Sequence, residues 1–182
     1  MERLIVFGVS GVGKTTACLG YVARHPRYLL LSASALIASA TGATLKSLRT
    51  ASAQQLLANQ DILQLAVDNE LRKRGASSFI LDGQCVLDNG REIVTLPAEA
   101  IRPFRPTGLI LLEASATEIA NRRSQDARQR PFRTVKELSE QLAQNRDAVR
   151  DYAMQLEIPF VCAEAKGAFS LDKPLEALAG SL

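Results

Sequence analysis

A glycine-rich loop near the start of the sequence has the residue types and spacing that bind phosphate groups. Gly8, Gly13, Lys14 and Thr15 occupy the fixed positions of the pattern G-x-x-x-x-G-K-[ST]. Glycines let successive backbone N–H groups point at one anion, and a following helix directs its positive end to the same place. The pattern predicts that this loop binds a nucleoside triphosphate with Mg²⁺, with Lys14 on the β- and γ-phosphates and Thr15 on the metal. The residues assigned to the nucleotide are Gly8, Ser10, Gly11, Val12, Gly13, Lys14, Thr15 and Thr16.

Asp82 is a second candidate for phosphate chemistry. It directly follows the apolar segment 78–81 and precedes Gly83. At the carboxyl end of a strand, a carboxylate can hold Mg²⁺ through water or stand near the phosphoryl acceptor. The alternative is an ordinary Asp-Gly turn. Its position at the strand end favours the functional interpretation and predicts a metal site formed by Thr15 and Asp82.

An arginine cluster follows in the second half of the sequence. Its members, all within 12 residues, are Arg122, Arg123, Arg128, Arg130 and Arg133. The planar guanidinium group suits phosphate better than an ammonium does, which favours a mobile lid that neutralises a transferring phosphoryl group. The alternative is a solvated helix end. Arg123, Arg128 and Arg130 are assigned to catalysis and Arg122 to the nucleotide.

The elements that must position these residues alternate along the chain. Apolar segments predict strands and 3.6-residue periodicity predicts helices between them. The Asn89-Gly90 pair predicts a small hairpin within 84–95, and Thr134 with Glu137 forms a capping-box pattern. The strands are predicted at 4–7, 28–31, 78–81, 108–113 and 158–162; the helices are predicted at 14–24, 35–40, 52–74, 115–123, 134–155 and 175–179.

Such an alternation predicts an α/β fold, with a parallel sheet covered by helices on both faces. Ligands of these folds lie at the carboxyl ends of the strands, where the loop at Gly8 and Asp82 both fall. With 182 residues and no linker or repeat, the chain is predicted to form a single domain, 1–182.

Composition limits the other functions. Apolar residues make up 47% of the chain and charged residues 23%, which is typical of a globular protein. No apolar run approaches the roughly 20 residues that cross a bilayer, and the three cysteines form no CxxC pair, so a cytoplasmic protein without a cysteine metal site is expected. The net charge of +3 and the 5% aromatic content make nucleic-acid binding an unfavoured hypothesis.

The order of these motifs resembles the nucleoside monophosphate kinases, and is most similar to the archaeal-type adenylate kinases. The resemblance covers about residues 1–165 and is carried by the loop 8–16, by Asp82, by Asn89-Gly90 with Leu96-Pro97, and by the segment 119–130. In that segment an arginine pair precedes Asp126, Arg128 and Arg130, as in the lid of that family.

This resemblance implies a three-layer P-loop NTPase fold with the strand order 2-3-1-4-5. It also implies an acceptor-binding insertion at about 32–70, a short lid at about 124–134, and phosphoryl transfer from Mg-ATP to a nucleoside monophosphate, with AMP as the expected acceptor. Arg49 falls near the family's acceptor-phosphate arginine, and Gln84 stands where the family commonly has histidine; both are assigned to the acceptor. Because some members of the family are trimers, a homo-oligomer is expected.

Three departures keep other functions open. Asp82-Gly83-Gln84 replaces the Asp-Thr-His common in the family, 45–48 replaces its acidic acceptor segment, and Pro131 replaces an acidic lid residue. One alternative is a nucleotide-gated switch or slow ATPase that acts on a protein partner. Another is a kinase of a different small molecule, whose hydroxyl group would benefit from Asp82 as a general base.

Overall fold

The fold was analysed in a computed structural model, which describes residues 1–126, 130–167 and 169–180. The helices are α1 (Lys14–Arg24), α2 (Ala33–Thr41), α3 (Leu45–Arg49), α4 (Ala53–Arg74), α5 (Ala116–Gln125), α6 (Val135–Leu156) and α7 (Asp172–Ala179). The strands are β1 (Arg3–Phe7), β2 (Leu29–Ser32), β3 (Phe79–Asp82), β4 (Val86–Asp88), β5 (Ile93–Thr95), β6 (Gly108–Glu113) and β7 (Phe160–Glu164).

Five of the strands form one parallel sheet in the order β2-β3-β1-β6-β7. When the hairpin strands β4 and β5 are left out and the sheet strands are numbered one to five along the chain, this order is 2-3-1-4-5. In the register, Val6 pairs with Asp82 and Ser32 pairs with Asp82 on the other side, so three strands end at the same edge. The predicted class, an α/β fold with a five-stranded parallel sheet, is confirmed.

Alternate residues of the central strands point to two separate apolar layers. On β1, Ile5 and Phe7 belong to the layer under α2, α4 and α6, whereas Leu4 and Val6 belong to the layer under α1, α5 and α7. Because both faces are covered, the central strands are apolar at their interior positions, which explains why their sequences show continuous runs rather than alternation.

The segment between β2 and β3 contains more helix than the sequence pattern predicted. The expected helix at 35–40 extends over Ala33–Thr41, and a further helix at Leu45–Arg49 was not predicted. Helix α3 is only five residues long, but Thr44 and Ser47 form a reciprocal capping box at its start. A helix this short shows too little periodicity to be recognised from sequence, so its cap is the usable signal.

Other segments also differ from the predictions, and α7 begins at Asp172 rather than at residue 175. The last strand begins at Phe160 rather than at residue 158, because Glu157 adopts a left-handed conformation that caps α6 and the Ile158 N–H donates to Ala153 O. Residues 98–104 form two short 3₁₀ turns that were not predicted. The hairpin at 84–95 is confirmed as the antiparallel pair β4 and β5.

Gly8 is expected to be the glycine least tolerant of substitution in the phosphate loop. Its φ is +146°, and a Cβ there would lie 2.4 Å from Leu112 O, a backbone atom of the neighbouring strand. We expect Gly8→Ala to lower the free energy of unfolding by about 3 kcal/mol. The matched control is Gly42→Ala, where φ is +70° but no atom lies within 4 Å, for which about 1 kcal/mol is expected. Equal losses in chemical denaturation would contradict the steric argument.

No helix within the described parts of the chain combines the length and apolarity needed to cross a bilayer.

Candidate active site

The phosphate loop connects β1 to α1 at the carboxyl edge of the sheet. Gly8, Gly11 and Gly13 all have positive φ, at 146°, 95° and 106°. Gly13 also occupies the N-cap position of α1, where no side chain caps the helix. The first N–H groups of a helix have no intrahelical partner. The loop therefore presents a helix N-terminus with backbone donors suited to an anion.

Lys14 lies inside this loop rather than in solvent. Its side chain donates from Nζ to Gly8 O at 2.6 Å and to Val9 O at 3.3 Å, and the residue is only 7% exposed. Burial lowers the pKa of Lys14, and the neighbouring Asp82 opposes that shift. Among the described residues, the ammonium bonds only to neutral carbonyl oxygens. An anion bound in the loop would stabilise its charge more strongly, so the loop is suited to an anionic ligand.

Thr15 and Asp82 come together as predicted for a metal pair. The Thr15 hydroxyl donates to Asp82 Oδ2 at 2.5 Å. A hydroxyl and a carboxylate oxygen are hard ligands of the kind that Mg²⁺ takes, and they adjoin a loop suited to phosphates. These residues fit the ion: Thr15 and Asp82 would hold it, and when bound it would neutralise phosphate charge. Within the described residues, no cluster of three or more His, Cys, Asp or Glu side chains could hold a metal by itself.

The arginine pair of α5 contacts the phosphate loop directly. Arg122 donates to Val12 O at 2.8 Å and to Ala165 O at 3.0 Å, and Arg123 donates from Nε to Ser10 O at 2.9 Å. Burial lowers the pKa of the Arg123 guanidinium, and Arg130 lowers it further. Both arginines therefore bring positive charge to the loop. Their hydrogen bonds are to its carbonyl oxygens.

Arg130 lies over the same loop, beside Arg123. It forms an ion pair with Asp126, and its side chain is 8% exposed. A Cβ on Gly11 would come within 2.7 Å of Arg130 Nη1. Arg123 and Arg130 thus meet above Gly11, as expected for a phosphate-neutralising pair. Arg128, the third arginine assigned to catalysis, lies outside the described residues.

A cavity of about 410 Å³ extends from the phosphate loop toward the helices that follow β2. Its size is that of a pocket for a nucleotide-sized ligand. On the side of the phosphate loop, the cavity is lined by Ser10, Gly11, Gly13, Lys14, Thr15 and Thr16. Its far side is lined by apolar side chains of α2, α3 and α4 and by the polar residues Arg49, Gln84, Asn59 and Gln60. Arg49 also borders a smaller recess with Gln84, Arg123 and Arg130. The two residues assigned to the acceptor therefore both border the cavity, Arg49 from the insertion and Gln84 from the segment after β3.

Asp88, which no sequence pattern marked, organises the region beside the cavity. Its carboxylate accepts two hydrogen bonds from Arg133, at 3.0 and 2.8 Å, one from Gln141 and one from the Gly90 N–H. Arg133, a member of the predicted cluster, is therefore held by the β4–β5 hairpin. The next residue, Asn89, donates to Ala51 O at the start of the α4 region. The hairpin turn thus joins the insertion to the segment after the lid.

Replacing Asp88 with asparagine is expected to destabilise the protein in a pH-dependent way. Burial raises the pKa of Asp88, but the hydrogen bonds from Arg133, Gly90 and Gln141 outweigh it and hold the pKa below its usual value. A lowered carboxyl pKa stabilises the fold above the unfolded-state pKa, and this contribution is lost as pH falls through the folded-state pKa. Asp88→Asn should cost about 2 kcal/mol near pH 7.

The measurement is the melting temperature of both proteins from pH 8 to about pH 3, below the usual pKa of aspartate. The difference should be largest near neutrality and shrink in acid. Asp147→Asn is the matched control, because Asp147 is exposed and its contact with Arg150 is at 3.9 Å. A wild-type advantage that is constant across this range would contradict the role of the ionised carboxylate.

Comparison with known proteins agrees with this architecture. A family model described as an AAA domain matches residues 7–139. The 1.7 Å crystal structure of shikimate kinase from Bacteroides thetaiotaomicron is similar over 99% of this chain and 97% of that chain, with a TM-score of 0.56 and 14% identity. At that identity the likeness shows a shared P-loop kinase fold. No curated protein sequence matches the chain.

Proposed function

We propose that this chain, which belongs to the AAA domain family, transfers the γ-phosphoryl group of Mg-ATP to a nucleoside monophosphate, with AMP as the expected acceptor. The observation that carries the proposal is the continuous cavity between the phosphate loop and Arg49. One end offers Lys14 and the uncapped start of α1 for a triphosphate. The other offers the Arg49 guanidinium with apolar side chains and side-chain amides beside it, which suits a ligand with a phosphate and a flat base.

The state of the carboxylates supports a phosphate rather than a hydroxyl acceptor. Three carboxylates border the cavity within the described residues, and each already has a partner: Asp82 with Thr15, Asp88 with Arg133, and Asp126 with Arg130. A hydroxyl acceptor benefits from a general base. A phosphate monoester is largely ionised near pH 7, since its second pKa is about 6, and needs none.

Catalysis in this proposal consists of positioning and charge neutralisation. Lys14 would exchange its bonds with Gly8 O and Val9 O for phosphate oxygens. Arg123 and Arg130 meet above Gly11 and would neutralise the charge of the transferring group. Arg49 would bind the acceptor's phosphate and hold it in line with the donor.

A kinase of a small-molecule alcohol is the second candidate. The similarity in fold to a structure named as a shikimate kinase motivates it, and so does Asp82, which borders the cavity and would then act as the general base. In that case the Asp82 carboxylate would leave Thr15 when substrate binds. The two candidates differ in the chemical group that accepts the phosphoryl, so an acceptor panel separates them.

The test is ADP formation from Mg-ATP with AMP, CMP, GMP, UMP, dTMP and shikimate, and with no acceptor added. Stimulation by a monophosphate, with the acceptor KM raised in Arg49→Ala, would support the leading proposal. Stimulation by shikimate alone would favour the second candidate. ATP binding with the same slow hydrolysis in every arm would overturn the nucleoside monophosphate kinase. It would favour a nucleotide-gated switch or slow ATPase that acts on a protein partner, or a kinase of an alcohol other than shikimate.

A further inference from the structure

Asn59 is a polar side chain in a place that the fold alone does not explain. It lies on α4 and is 3% exposed, yet it borders the main cavity. Its Oδ1 accepts a hydrogen bond from Gln55 Nε2 at 3.0 Å. Within the described residues, no hydrogen bond from Asn59 Nδ2 is observed. The Nδ2 atom is not among the fully buried atoms that lack a partner, so this donor opens to the cavity, where a ligand or water can reach it.

The surroundings make a ligand the better explanation. The α4 residues one turn before and after Asn59 are Leu56 and Leu63, which are buried and border the same cavity. The neighbouring Gln60 donates from Nε2 to Leu56 O, so one of its two amide N–H donors is already used. A leucine at position 59 would continue the apolar stripe of α4 without loss of packing. Packing of α4 therefore does not require the amide at position 59, whereas a ligand in the cavity could use it.

We propose that Asn59 is a specificity-determining residue that donates a hydrogen bond from Nδ2 to a ring nitrogen or carbonyl oxygen of the acceptor. The inference rests on the proposed function and deepens it: the acceptor carries a heteroaromatic base, whose faces contact the leucines and whose polar edge meets Asn59. Arg49 binds the phosphate end of the same molecule. A small alcohol without a ring acceptor atom would leave this amide unmatched.

The experiment measures acceptor binding to wild type and Asn59→Leu by calorimetry, in the presence of a non-hydrolysable ATP analogue, with the monophosphate that wild type prefers. We expect the Kd of Asn59→Leu to rise about tenfold, because one hydrogen bond to a buried partner is lost. Ribose 5-phosphate, which lacks a base, should bind both proteins equally. The melting temperature without ligand should be unchanged or higher in Asn59→Leu, since Gln55 is exposed and water can satisfy it.

The matched control is Asn69→Leu, on the same helix, where the asparagine is exposed and contacts Arg72. It should leave the acceptor Kd unchanged. A wild type that binds a monophosphate no better than Asn59→Leu does would overturn the inference about Asn59 and leave the kinase proposal standing. A wild type that binds none of the monophosphates would overturn both.

Discussion

Replacing Lys14 with alanine is expected to lower kcat for phosphoryl transfer about 1,000-fold, the loss typical of a charged group that acts on the transferring phosphoryl. Lys14 is the cation nearest the start of α1, and it now donates to the carbonyl groups of Gly8 and Val9. No other described lysine borders the cavity. Arg123 and Arg130 cannot replace it, because they lie beside Gly11 and not at the Gly8 and Val9 carbonyl groups, where the ammonium lies.

The fold should survive this change. Burial lowers the pKa of Lys14, so the folded state bears a cost for its charge. Removing the ammonium removes that cost but also the hydrogen bonds to Gly8 O and Val9 O, so these changes oppose each other and the protein should remain folded. Steady-state kinetics and thermal unfolding measured on the same samples separate the two effects. Lys166→Ala is the control, since Lys166 is exposed and pairs only with Glu164, and it should retain wild-type kcat. A Lys14→Ala enzyme within tenfold of wild type would contradict the proposed role.

The parts of the fold that follow from local patterns were predictable from sequence. The strands at β1, β3 and β6 are apolar runs, and a helix after the loop begins at Lys14 because the glycines end there. The left-handed turn that moves the start of β7 was not predictable. The turn depends on Glu157 adopting a left-handed conformation, which usually favours glycine. A glutamate at this position gives no sequence signal for such a turn.

The candidate site divides in a similar way. The phosphate loop and Asp82 were found because a spacing and a strand end mark them, and the structure places Thr15 against Asp82. Asp88 was missed because its partner Arg133 is 45 residues away, and sequence shows such a pair only as two unrelated charges. Asn59 did leave a signal: helical periodicity from Leu56 to Leu63 places it on the buried side, where a polar residue needs an explanation.

Replacing Asp82 with asparagine is expected to lower the rate about 100-fold at limiting Mg²⁺ and to raise the Mg²⁺ concentration that gives half-maximal activity. Asp82 Oδ2 accepts the Thr15 hydroxyl, and both groups lie beside the phosphate loop. An asparagine keeps the shape and an oxygen but loses the negative charge that attracts the ion. Metal affinity should therefore fall, whereas ATP binding without Mg²⁺ should not.

Excess Mg²⁺ then distinguishes the two roles considered for Asp82. If the carboxylate serves the metal, high Mg²⁺ should restore much of the rate, because binding and not chemistry was impaired. If it is the general base of an alcohol kinase, the loss should persist at every Mg²⁺ concentration, because no proton acceptor remains. Asp88→Asn is the matched control: Asp88 borders the same cavity but bonds to Arg133, so its loss should leave the Mg²⁺ requirement unchanged. A rate deficit in Asp82→Asn that saturating Mg²⁺ does not reduce would therefore rule out the metal role and direct the search for a substrate toward alcohols.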